Sequence, residues 1–130
     1  MIRDRALKVV LVLVGLLFLG LGIYAVTPAL WHRDASDPGD TMMMSLYMTL
    51  GIFLLIAVRN PLAHRSLIAF AAWSSFAHAV VMSLIAFGPA FANDRAGFWT
   101  GSAVLVVIGV ALLALTPAKA SRESVSVTAA

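Results

Sequence analysis

Cysteine is absent from these 130 residues, which excludes thiol–disulfide relays and the quinone-linked or epoxide-reducing chemistry of Cys-x-x-Cys enzymes. Charge is scarce as well, at 12% of the chain, about half the usual share of a soluble domain. Its distribution excludes more than its amount. Residues 7–24, 42–58, 66–87 and 97–115 contain no Asp, Glu, Lys or Arg apart from Lys8. Small four-helix drug exporters exchange protons for cations at an intramembrane glutamate, and here that residue is missing. No Gly-rich phosphate loop and no Ser-His-Asp set is present either, so no catalytic residue is assigned and an enzyme is not expected.

What remains is apolar. Hydrophobic residues make up 62% of the chain and mean hydropathy is +0.98. The four uncharged runs hold 17 to 22 residues each, about 26 to 33 Å as helix, close to the hydrocarbon thickness of a bilayer. The fold class read from this is all-α: a polytopic four-transmembrane-helix bundle. It forms a single domain over residues 1–120, with helices near 7–26, 42–58, 66–87 and 97–115 and a disordered cytoplasmic tail at 121–130. The first run, preceded by Arg3 and Arg5, is about 18 residues long. That exceeds a signal-peptide core of roughly 7 to 15, and Pro28 lies close to the one small-residue site near Ala25, so the run is read as a retained helix.

A net charge of +3 and a pI near 10 do not indicate nucleic acid, because the cations sit in short turns and at the tails. They read as topology signals: Arg3, Arg5, Lys8, Arg59, Arg65, Lys119 and Arg122 fall on one side, Arg33 and Arg95 on the other. Both termini and the central turn are therefore expected in the cytoplasm. Asp34, Asp37, Asp40 and Asp94 make the opposite face mildly acidic. His64 shares the central turn with Arg59 and Arg65, where a lipid headgroup or solvent is the expected neighbour. All five prolines, Pro28, Pro38, Pro61, Pro89 and Pro117, are expected at or beyond helix ends, with Asp40 or Thr41 as N-cap of the second helix. Tyr24, Trp31 and Trp99 suit interfacial anchoring.

Small residues set the expected packing. Ala71, Ser75, Ala79 and Ser83 recur at steps of four, Gly15 and Gly22 lie seven apart, and Gly97 and Gly101 open the fourth helix. Such stripes let backbones approach where lipid offers no hydrophobic advantage.

His78 is the one ionisable residue deep inside a run. Ser74, His78 and Met82 follow at steps of four. At matching depth on the second helix are Met44, Tyr47 and Met48; Met44 and Met48, four apart, are placed to face Met82 and His78, with Tyr47 and Ser75 as assisting residues of the candidate site. Thioethers with an imidazole suit Cu(I), His with Met suits haem iron, and a mid-membrane imidazole suits a quinone or a proton relay. Against these stands ordinary packing: Met fills gaps and a His often clasps two membrane helices. The leading expectation is packing without a cofactor, with haem, copper or quinone as alternatives.

The stretch Val58-Arg59-Asn60-Pro61, followed by Arg65-Ser66-Leu67-Ile68-Ala69-Phe70 and Ala72-Trp73-Ser74-Ser75-Phe76-Ala77-His78, resembles an uncharacterised family of small bacterial four-helix membrane proteins, catalogued only as a domain of unknown function. The similarity extends to the Asp37-Pro38-Gly39 turn and covers nearly the whole chain; the layout is also similar to DoxX-like membrane proteins. The resemblance implies a bacterial inner-membrane protein and carries over no catalytic residue. The functional expectation is a structural or accessory subunit that associates in the bilayer with itself or a larger complex. The alternative is a redox, metal, quinone or proton-transport role centred on His78.

Overall fold

The computed structural model describes residues 2–32 and 38–117. Arg33, Asp34, Asp37, Lys119, Arg122 and the tail at 121–130 lie outside them. Four helices run in order: α1 (Ile2–His32), α2 (Pro38–Ala57), α3 (Arg65–Ile85) and α4 (Arg95–Leu115), with a 3-10 turn at Pro89–Phe91 before α4. Each is long and apolar enough to cross a membrane.

Several helix bounds differ from the expectation, among them the start of α1, at Ile2 rather than Leu7. α1 runs through Pro28. Its 31 residues extend about 46 Å, well past a roughly 30 Å hydrocarbon core, so the carbonyl that loses a donor to Pro28 belongs to a projecting turn. Tyr24, whose carbonyl that is, is 80% exposed, and water can serve it. α2 begins at Pro38 rather than Met42. Proline suits a first helical position, where its missing N–H would be unpaired anyway. Asp40 and Thr41 therefore lie inside the first turn, past the N-cap position. There Asp40 meets the positive end of the helix dipole. α4 starts two residues early, at Arg95, with Asp94 at its N-cap position and no side-chain capping bond.

The helices pack as two tight pairs, α1 on α2 and α3 on α4. α1 and α4 join the pairs, whereas α2 and α3 barely touch. Leu7, Leu11, Val14 and Phe18 form the buried stripe of α1 and meet Leu54, Ile68, Ala71, Ala72, Ala79, Leu105, Ile108 and Leu112 in one cluster. The 3-and-4 spacing in α1 is the repeat that keeps side chains on one helix face.

Backbone proximity holds α1 to α2. A Cβ on Gly51 would stand 2.7 Å from both the Gly15 carbonyl oxygen and the Leu19 nitrogen, and one on Gly15 would stand 2.9 Å from the Leu55 side chain. Gly22 accepts the side chain of Met48. The α3–α4 pair uses larger knobs, with Phe76 over Gly109 and Met82 over Gly101. A hydroxyl clasp joins the same two helices: Ser102 Oγ donates to the Ala79 carbonyl at 3.2 Å. Ser83 Oγ lies 2.8 Å from that carbonyl and 3.2 Å from Ser102 Oγ.

Two arginines tie helix ends together. Arg3 donates to the carbonyls of Ala114, Leu115 and Thr116 at 2.9 to 3.2 Å, fastening the start of α1 to the end of α4. Arg95 Nε donates to the Ala86 carbonyl at 2.8 Å, beyond the end of α3. Both put a cation on carbonyls that the helix itself leaves unpaired. Arg3→Gln is expected to lower stability by about 0.3 to 1 kcal/mol, the range for an exposed cation at a helix C-terminus. A thermal melt in detergent at low and high salt checks it, because the loss should shrink as salt screens the wild-type contact.

Candidate functional site

Since α2 and α3 diverge, a groove of about 540 Å³ opens between them. Its walls are mostly apolar, with Leu50 and Phe53 on α2 and Leu67, Phe70 and Val81 on α3. Tyr47, Thr49, Ser74 and His78 are its polar side chains. Two of these are satisfied within their own helices: Thr49 Oγ1 donates to the Ser45 carbonyl at 3.0 Å and Ser74 Oγ to the Ala71 carbonyl at 3.1 Å.

Tyr47 and His78 are different. The Tyr47 ring stands edge-on to Phe18 of α1 at 4.9 Å and to His78 of α3 at 5.4 Å, so one side chain touches both helix pairs. Neither the Tyr47 hydroxyl nor a His78 ring nitrogen has a hydrogen-bond partner among the described residues. No fully buried polar side-chain atom there lacks a partner, so these free polar tips open into the groove. Tyr47 is at mid-length of α2, and His78 is seven residues, about 10 Å, short of the end of α3.

The methionine cluster expected around His78 does not assemble. Tyr47 and Met48 are adjacent, about 100° apart on the helix, and only one of them can face α3. Tyr47 does, while Met48 packs on Gly22 of α1. On α3 each step of four residues overshoots a full turn by about 40°. Ser74 and His78 therefore share the groove, but Met82, two steps on from Ser74, has rotated to Gly101 of α4. Met44 is half-buried and apart from the groove lining, where the methionine is Met43. Ser75 is fully buried and donates to the Ala71 carbonyl at 2.7 Å, which makes it a packing residue of α3. No cluster of three His, Asp or Glu residues able to hold a metal occurs among the described residues.

The small-residue stripes are placed more simply. Gly15, Gly22, Ala71, Ser75, Ala79, Ser83 and Gly101 all stand at helix contacts. Gly97 does not: a Cβ there would meet nothing within 4 Å. Gly51 and Gly109, both at tight contacts, escaped the sequence reading, Gly51 because no second glycine in its run marks a stripe. Phe53, Phe70, Ala77 and Val81 were also missed; in an all-apolar helix nothing separates groove-facing from lipid-facing positions.

Four membrane-length helices with a lateral groove define a small multi-pass membrane protein. Residues 3–128 match the model of the family of unknown function DUF6632, and the chain belongs to that family. No curated protein and no solved structure matches it.

Proposed function

We propose that this is an accessory protein of the bacterial inner membrane that holds a lipophilic, carbonyl-bearing molecule of the quinone class in the groove between α2 and α3. The observation that carries the reading is the pair Tyr47 and His78: two unpartnered polar side chains on facing helices, opening into an otherwise apolar groove at membrane depth. Polar groups at that depth are expensive unless something satisfies them. The groove volume falls within the usual range for small-molecule sites, about 300 to 1,000 Å³. A phenol hydroxyl and a neutral imidazole N–H both donate, and a quinone supplies carbonyl acceptors on a flat apolar ring. Cu(I) and haem are disfavoured because Met48 and Met82 turn away from the groove and pack against Gly22 of α1 and Gly101 of α4.

The basic end supports a cytoplasmic placement of both termini. Arg3, Arg5, Lys8, Arg59 and Arg65 gather there, and Arg95 with Asp40 and Asp94 occupies the other end. Association with a second copy or a larger complex is the second reading. It is favoured by Gly20 and Gly97, where no neighbour lies within 4 Å, leaving room for another helix to approach closely.

The test is solvent extraction and mass spectrometry of protein purified from its native membrane in mild detergent. The wild type should carry a quinone-class molecule near one per chain. Ala77→Phe, which fills the groove from an exposed wall position, should lose at least nine-tenths of it while eluting at the same volume. Absence of any such molecule in the wild type, or full retention by Ala77→Phe, would overturn the reading.

A further inference from the structure

The basic end holds a second concavity, separate from the groove. A cleft of about 170 Å³ lies between the first turns of α1 and the turn that joins α2 to α3. Lys8, Arg59 and Asn60 line it with Leu7, Leu62 and one carboxylate, Asp4. No ion pair neutralises Lys8 or Arg59 among the described residues. The neighbouring cation Arg3 is already committed to the end of α4.

The cleft does not end at the polar residues. Lys8 also heads an apolar furrow of about 230 Å³ formed with Val9, Val12 and Leu13. Leu13 in turn belongs to a groove between α1 and α4, of about 360 Å³, that includes Leu17, Val104 and Val107. From Lys8 to Leu17 is nine residues, about 13.5 Å along the helix and close to the depth of one leaflet's hydrocarbon. The cationic cleft thus connects, by way of Lys8 and Val12 around the outer side of α1, with an apolar track running toward the midplane, Leu17 lying half a turn round the helix from Lys8.

We infer that this cleft and track form a binding site for an anionic phospholipid, with the phosphodiester at Lys8, Arg59 and Asn60 and one acyl chain laid along α1 from Val9 to Leu17. Charge complementarity selects the headgroup, since two unpaired cations and an amide donor meet a single negative charge. Asp4 refines the selection. It opposes a doubly charged free phosphate, and it can accept a hydrogen bond from a headgroup hydroxyl such as those of glycerol. The acyl track distinguishes a lipid from any soluble anion, because only a lipid would cover both parts at once.

Native mass spectrometry of the detergent-purified chain tests this, with phosphatidylglycerol, phosphatidylcholine of the same acyl chains, or inorganic phosphate added in turn. Phosphatidylglycerol should remain bound and raise the melting temperature, and the other two should do neither at equal concentration. K8Q/R59Q should weaken phosphatidylglycerol binding at least tenfold. R5Q/R65Q, which removes the same charge from the same end but outside the cleft, should bind within twofold of the wild type. Equal losses in the two double variants would mean diffuse surface charge and overturn the site. Equal binding of phosphatidylcholine would remove the role of Lys8 and Arg59, and stabilisation by inorganic phosphate alone would remove the role of the track. Should K8Q/R59Q fail to fold, Val12→Trp blocks the track without touching a cation, and unchanged phosphatidylglycerol binding in that variant would likewise overturn the proposal.

Discussion

Gly51→Ala should lower the melting temperature of the detergent-solubilised protein more than a methyl group added at Gly20, Gly101 or Gly109. The added carbon would sit 2.7 Å from the Gly15 carbonyl oxygen and 2.7 Å from the Leu19 nitrogen. Both are main-chain atoms of α1, and neither can rotate aside as a side chain can. α1 and α2 must separate, and in a bilayer that loss is severe, because close packing is the main force between the two helices. Overpacking of this kind costs about 1 to 3 kcal/mol, and a backbone-on-backbone clash belongs at the top of that range. Gly109→Ala is the informative comparison. There the new carbon meets the ring of Phe76, a side chain that can swing, so the loss should be smaller. At Gly20 nothing lies within 4 Å; alanine there should be neutral or stabilising by up to about 1 kcal/mol through its better helix propensity. Equal melting temperatures for Gly51→Ala and Gly20→Ala would mean that α1 and α2 do not approach as described.

The second large effect is on ligand affinity rather than stability. His78→Leu and Tyr47→Phe should each weaken binding of a short-chain benzoquinone about tenfold, the equivalent of one hydrogen bond of about 1.4 kcal/mol, and the double variant should bind too weakly to measure by titration. The melting temperature should hardly move. Neither polar tip has a partner within the described fold, and Tyr47→Phe keeps the aromatic edge contact with Phe18. His78→Gln should retain much of the affinity, because the amide still donates from a similar position. The pattern separates the two functional readings. If the histidine instead clasps a second copy, His78→Leu should shift the oligomer to smaller species on a sizing column and leave quinone affinity unaltered.

Much of the architecture was legible from the residues alone. A helix in hydrocarbon must satisfy its own backbone, so runs of about 20 uncharged residues leave no other structure open to them. The same economy made His78 conspicuous, because an ionisable group at that depth stands out by composition. The close contacts at Gly15, Gly22 and Gly101 were also readable, since approaching backbones demand the absence of a side chain. Pro28 misled at the boundary of α1, where length past the hydrocarbon allowed a helix to continue through a residue that usually ends one.

Four apolar runs, their punctuation and the one intramembrane histidine follow from the order of residues alone, because hydropathy and backbone pairing act locally along the chain. Helix packing, in contrast, sets α2 and α3 apart, brings Tyr47 rather than Met48 to His78, and places Lys8 and Arg59 in one cleft. Those outcomes depend on how far each helix is rotated about its axis and which neighbour it packs against. Where every face of a helix is apolar, no periodicity in the residues records that rotation.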